Sequence, residues 1–141
     1  MQGNGLDLAA LDTKKGAEEG FQLELRHPKS GDPIGIWIRV LGADSDTYQE
    51  LLRELERRHA EILKRNMRAS LSAEERRAEA LELLAAATRG WSDKMIVDGS
   101  MLGFSPDAAR KLYARFPWIR EQVDAGVHDR GNFLPGNGTS S

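Results

Sequence analysis

The side chains best suited to acid, base or metal chemistry are three histidines and a scattered set of carboxylates. His27 stands beside a turn proline, His59 falls on the seam of a long charged helix, and His128 is followed by Asp129 and preceded by Asp124. Helical zinc hydrolases use an HExxH spacing, and closed structural zinc sites draw heavily on cysteine. The sequence has neither HExxH nor any cysteine. His128 with Asp124 and Asp129 offers metal-binding atoms without a closed ligand spacing. Asp93 and Asp98 would have to act together as general acid and base, yet both lie among turn formers, where carboxylates cap turns or stay solvated. No serine occupies GxSxG, and Gly3-Asn4-Gly5 precedes no strand-to-helix phosphate loop. These residues predict a protein that binds rather than catalyses, with no catalytic set, no cofactor and no metal.

Composition narrows what it can bind. A chain of 141 residues, 40% hydrophobic, can bury roughly two thirds of its unfolded surface and support one core. Twenty basic against 22 acidic residues give a formal charge of -2, so no sustained positive field gathers nucleic acid or anionic lipid. The absence of cysteine suits a reducing compartment. No basic lead with an apolar run opens the chain, and no uncharged apolar stretch is long enough to cross a bilayer. A cytoplasmic protein with no nucleic-acid or membrane partner is expected.

Residues 1 to 19 show no sustained period and predict a flexible arm with room for a short helical turn. Phe21, Leu23 and Leu25 alternate with Gln22, Glu24 and Arg26, and Ile34, Ile36, Ile38 and Val40 repeat that period of two. It is the mark of strands with one buried face. His27-Pro28-Lys29-Ser30-Gly31-Asp32-Pro33 reverses the chain between them, so residues 21 to 41 predict a β-hairpin. Trp37 falls on the other face with Arg39 and Leu41. Tryptophan is enriched at interfaces, and a two-stranded hairpin is marginal alone. Trp37 therefore marks either a surface covered by this chain or a self-association contact.

Helical spacing follows. Tyr48, Leu51, Leu52, Leu55, His59, Ile62 and Leu63 form an apolar stripe over about 45 to 67, with Asp44 or Ser45 as the cap. Ser72 and Glu75 make a capping box for a second helix over about 72 to 89. Ala78, Leu81, Leu84 and Ala85 are its expected buried side, with Arg89-Gly90 as its close. The short loop makes the two an antiparallel pair across the hairpin face. Val97-Asp98-Gly99-Ser100 is a turn signal that fits a small hairpin or an irregular loop. Ser105 and Pro106 start a helix over about 106 to 116, Pro117 breaks it, and a last helix runs over about 117 to 129. The connection between the second and third helices is too long for a helix-turn-helix reader. The expected fold is α+β and mostly helical: a single domain over 20 to 134, with 135 to 141 a disordered tail.

With these elements placed, the chain resembles the tail assembly chaperones of long-tailed bacteriophages and prophages. One block runs over residues 17 to 48, AEEGFQLELRHPKSGDPIGIWIRVLGADSDTY: an acidic lead, a strand, a His-Pro turn, a second strand, and Gly42-Ala43-Asp44-Ser45 opening a helix. The other runs from Gly90-Trp91-Ser92-Asp93 through Asp98-Gly99 and FSPDAARKLYARFPWIREQVD to Asn132-Phe133-Leu134. The two cover over half the chain in the family's order, and the helical middle adds little.

The resemblance implies a non-enzymatic assembly factor. Such proteins bind the long helical tape measure protein, keep it soluble until tail tube subunits replace them, and are absent from the finished virion. Many are also made as a longer frameshifted form. The tape measure and tail tube proteins are then the expected partners, in the cytoplasm of a bacterial host. Trp91, Phe104, Pro117, Trp118 and Phe133 are the expected contacts, with Trp37 for self-association. A structural minor tail or neck protein is the alternative, followed by a small metal-assisted hydrolase using His128, Asp124 and Asp129.

Overall fold

The computed structural model describes residues 5–136. Phe21–Arg26 (β1) and Pro33–Val40 (β2) pair antiparallel as their alternation requires, with Phe21 opposite Val40 and Leu23 opposite Ile38. Alternation fails at the start of β2. Gly35 takes a φ of +80° and the register slips between Arg26↔Pro33 and Glu24↔Trp37. Ile34 is thereby turned outward to 36% exposure, while Ile38 and Val40 are sealed.

The chain completes its own sheet. Helix α3 (Ala73–Ala87) stops two residues short of the expected boundary and passes without a loop into β3 (Thr88–Trp91), which pairs antiparallel with β2. Arg89 and Gly90 are strand residues instead of a helix close. The switch has a local cause. Thr88 is β-branched and favours extended backbone, its hydroxyl donates to the last-turn carbonyl of Leu84 at 2.9 Å, and the Ala87 carbonyl accepts from the Leu41 amide at 2.8 Å. Strand order is β1-β2-β3, so the third strand that a marginal hairpin needs comes from within the chain.

Ser45, Ser72 and Ser105 cap their helices as expected, each hydroxyl accepting from a backbone amide of the first turn. Helix α2 (Asp46–Arg65) runs antiparallel to α3, joined by Arg58–Glu82 at 2.8 Å, and Arg68 of the connection pairs with Glu75 at the start of α3. The hairpin face is covered chiefly by α5 (Pro117–His128), which packs on β1 and β2 and buries Ile119, Val123 and Val127, while Tyr48 of α2 and Leu84 and Ala85 of α3 join the same core cluster. Helix α4 (Pro106–Arg115) packs on α3. Helix α2 buries only Tyr48 and Leu55, and Ala78, expected on the inner side of α3, is exposed.

The expected flexible arm is partly structured. A 3-10 turn at Leu8–Leu11 leads to α1 (Lys14–Glu19), whose Ala17 is 1% exposed. The Gly42 amide donates to the Ala17 carbonyl at 2.9 Å, and Gly16 lies against the backbone of Phe133. The domain therefore begins before residue 20. The remaining ends of the expected arm and tail, 1–4 and 137–141, lie outside the described residues.

Tyr113 ties the helices to the sheet. Its hydroxyl stands 2.7 Å from the Thr88 hydroxyl in a buried position. Thr88 spends its proton on Leu84, so Tyr113 is the donor. Burial pushes the Tyr113 phenol up to about 12, against about 10 for an unfolded tyrosine. The folded state thus holds this proton more tightly, and the stability involved is complete below pH about 10 and lost as pH rises towards about 12. A decline of about 2 to 3 kcal/mol across that window is expected in urea titrations, and Tyr113→Phe should flatten it.

Candidate functional site

Several of the groups with chemical potential make hydrogen bonds or ion pairs within the fold. The ring Nδ1 of His27 accepts from the amides of Lys29 and Ser30 at 3.1 and 3.3 Å, shaping the β1–β2 turn. His59 stands 3.8 Å from Glu79 on α3. His128 lies 3.5 Å from Asp124 through Nδ1 and 3.4 Å from the Tyr48 hydroxyl through Nε2. Asp129 uses a carboxylate oxygen to accept from the Gly131 amide at 3.0 Å. Among the described residues no three His, Cys, Asp or Glu side chains gather as a metal site. Asp98 is gripped by Arg115 through two hydrogen bonds at 2.6 and 2.8 Å, which holds its carboxyl below the usual range. It serves as the anion of a surface ion pair beside the β-turn.

The six aromatic and proline positions expected to meet a partner divide by burial. Phe133, at 1% exposure, and Trp91, at 8%, belong to the core. Phe133 meets the Phe21 ring edge-on at 6.1 Å, and Trp91 meets Phe104 at 5.1 Å while its Nε1 donates to the Leu102 carbonyl at 2.8 Å. Both rings are turned into the core. Phe104 and Trp118 are half-buried against the core, and Pro117 is exposed at the first position of α5. Trp37 is half-buried on the outer sheet face, its backbone N–H donating to the Ser92 hydroxyl at 3.3 Å.

Two exposed apolar residues escape a reading by aromatic spacing. Strands β4 (Ile96–Val97) and β5 (Ser100–Met101) form the small hairpin, turned by Asp98 and Gly99 at φ +53° and +82°, the positive angles of a tight hairpin turn. Ile96 and Met101 are cross-strand partners, 60% and 69% exposed. Beside them Val97, Leu102, Leu112 and Phe116 line a cleft of about 230 Å³. The Asp98-Gly99 turn was the available signal: two residues either side of it place Ile96 opposite Met101. A wider groove of about 800 Å³ runs between β1 and α5. There the Gln122 side chain bridges both backbone polar groups of Arg26, at 2.9 Å each.

No family model, no curated protein and no solved structure matches this chain. Among the described residues no helix is long and apolar enough to cross a membrane.

Proposed function

We propose that this chain is a tail assembly chaperone of a long-tailed phage or prophage. It binds the tape measure protein in the cytoplasm of a bacterial host, keeps it soluble, yields it to tail tube subunits and is left out of the virion. The observation that carries the reading is how the two resembling blocks meet. The Ala43 amide of the first donates to the Val127 carbonyl of the second at 2.9 Å, Asp44 binds Arg130 at 2.8 Å, and Gly42 and Phe21 pack on Phe133. The two stretches that resemble the family thus form one interlocked body, and the middle that adds little to the resemblance is the α2–α3 pair.

The contact surface assigned to the tape measure is the β4–β5 hairpin with its cleft and neighbouring Pro117. Exposed apolar pairs rimmed by polar groups suit the stripe of an amphipathic helix, and a small patch favours release. The test is co-expression with a tape measure protein, followed by pull-down and a solubility assay. The wild-type chain should retain the tape measure and raise its soluble fraction. The double variant Ile96→Gln, Met101→Gln should shift stability by no more than about 0.5 kcal/mol while retention falls at least about tenfold. A tape measure equally soluble alone, with no complex formed, overturns the function. Unchanged retention by the variant overturns the surface. Persistence of the chain in purified particles favours a structural tail component instead.

A further inference from the structure

Strand β1 is an outer edge of the sheet, with β2 on one side only. Its backbone groups alternate in direction, and β2 fixes which of them turn outward. The Trp37 carbonyl accepts from the Ser92 amide at 3.1 Å and the Leu41 amide donates to the Ala87 carbonyl at 2.8 Å, so Trp37, Arg39 and Leu41 aim their backbone groups at the β3 side. Ile38 and Val40 therefore aim theirs at β1, where they stand opposite Leu23 and Phe21. That leaves the N–H and C=O of Gln22 and Glu24 pointing away from the sheet. Arg26 shares their direction, but its two groups are taken: Gln122 Oε1 accepts from its amide and Gln122 Nε2 donates to its carbonyl, at 2.9 Å each.

A side-chain amide thus makes the pair of bonds that the backbone of a neighbouring strand would make. Beyond it the edge opens into the groove of about 800 Å³ between β1 and α5. Phe21 and Leu23, both half-buried, line it from the strand, and the exposed Ala125 lines it from the helix. Helix α5 runs antiparallel to β1, with Gln122 beside Arg26 and Gly126 beside Leu23. The groove therefore carries a cation, Arg26, at one end and an anion, Asp129, at the other. Neither has an ion-pair partner among the described residues.

We propose that this groove docks an extended peptide segment of a partner protein, which adds a strand to the free edge of β1 through the outward backbone groups of Gln22 and Glu24. The open groups select the occupant. A helix has spent its backbone groups on itself, whereas an extended chain offers N–H and C=O at the repeat of the edge. A second copy pairing edge to edge would bring its own α5 to the same side of the joined sheet, where the groove lies. Main-chain bonds supply the affinity and alternate side chains the selection. The segment carries apolar residues turned to Phe21 and Leu23, an acidic residue at the Arg26 end and a basic one at the Asp129 end. Gln122 closes the Arg26 end and sets the register.

Amide hydrogen exchange of the purified chain, read by NMR, tests this without any phage partner, so its outcome is separate from that of the chaperone reading. The probe is a peptide with blocked ends that alternates threonine and valine, with glutamate at its amino end and lysine at its carboxyl end, an order suited to antiparallel addition to β1. In the free chain the Gln22 and Glu24 amides should exchange fast and the Leu23 amide slowly. With the groove about nine-tenths filled, exchange at Gln22 and Glu24 should slow about tenfold. Ala125→Trp, which fills the groove from an exposed position, should abolish that protection while circular dichroism shows the fold intact. Gln122→Ala should free the Arg26 amide and let the peptide protect it too. No protection up to about millimolar peptide, equal protection by the same peptide N-methylated along its backbone, or undiminished protection of Ala125→Trp overturns the proposal. Gln22 and Glu24 amides that are already slow in the free chain, with a mass about twice 15.7 kDa, put a second copy on the edge and overturn it as well.

Discussion

Phe133→Ala is expected to remove about 3 to 5 kcal/mol of stability, the range for truncating a fully buried phenylalanine. Against a total of about 5 to 15 kcal/mol for a domain, that is a large fraction, and the thermal midpoint should fall by about 10 to 15 °C. The figure is at the upper end because Phe133 fills a joint between three other parts of the chain. Its ring lies edge-on to Phe21 of β1 and against Gly42, two residues beyond β2, and its own backbone meets Gly16 of α1. Few of these neighbours can relax inward, since they belong to paired strands and a helix. Thermal and urea unfolding followed by circular dichroism measure the change. A midpoint shift below about 3 °C would place the ring outside the core.

Gly16→Ala should be nearly as damaging by the opposite route. A Cβ at residue 16 overlaps the Phe133 carbonyl oxygen and stands 2.8 Å from its carbonyl carbon. The obstacle is backbone, which cannot rotate away, so α1 has to lift from the body. Overpacking of this kind costs about 1 to 3 kcal/mol, occasionally more, and here the upper end is expected. The sharper readout is local: trypsin should cut after Lys14 and Lys15 much faster in the variant than in the wild type, because a displaced α1 exposes both peptide bonds. Gly103→Ala is the internal control, since a Cβ there meets nothing within 4 Å. It should leave both stability and cleavage close to wild type. Equal cleavage of Gly16→Ala and wild type would show that α1 is not seated against Phe133.

Signals confined to a few neighbouring residues were legible in the sequence. Ser45, Ser72 and Ser105 cap as their spacing predicts, Pro106 and Pro117 each open a helix, and the β1–β2 alternation pairs in the expected sense. What stayed hidden depends on distant partners. Strand β3 is only TRGW, too short for alternation and directly continuous with a helix-forming run; its pairing depends on β2, about 50 residues earlier. Helix α1, KKGAEE, offers no apolar stripe, and two small residues hold it in place by letting another backbone approach. Two of the candidate contacts, Trp91 and Phe133, turn inward. Trp91 and Phe133 have the same chemistry as surface anchors, and residue type at helical or loop spacing does not tell whether the ring turns inward. Ile96 and Met101 carry no aromatic flag, and only the two-residue strands around Asp98-Gly99 reveal that they stand together on the surface.

The direct passage from α3 into β3 has a mechanical meaning. A loop between two elements acts as a slack tether and lets one swing without disturbing the other; here there is no slack. Thr88 is at once the final residue of the helical ladder and the first rung of the sheet, and it is clasped by Tyr113 of α4. A load applied at the far end of the α2–α3 pair reaches the β2–β3 hydrogen bonds as leverage through a rigid joint.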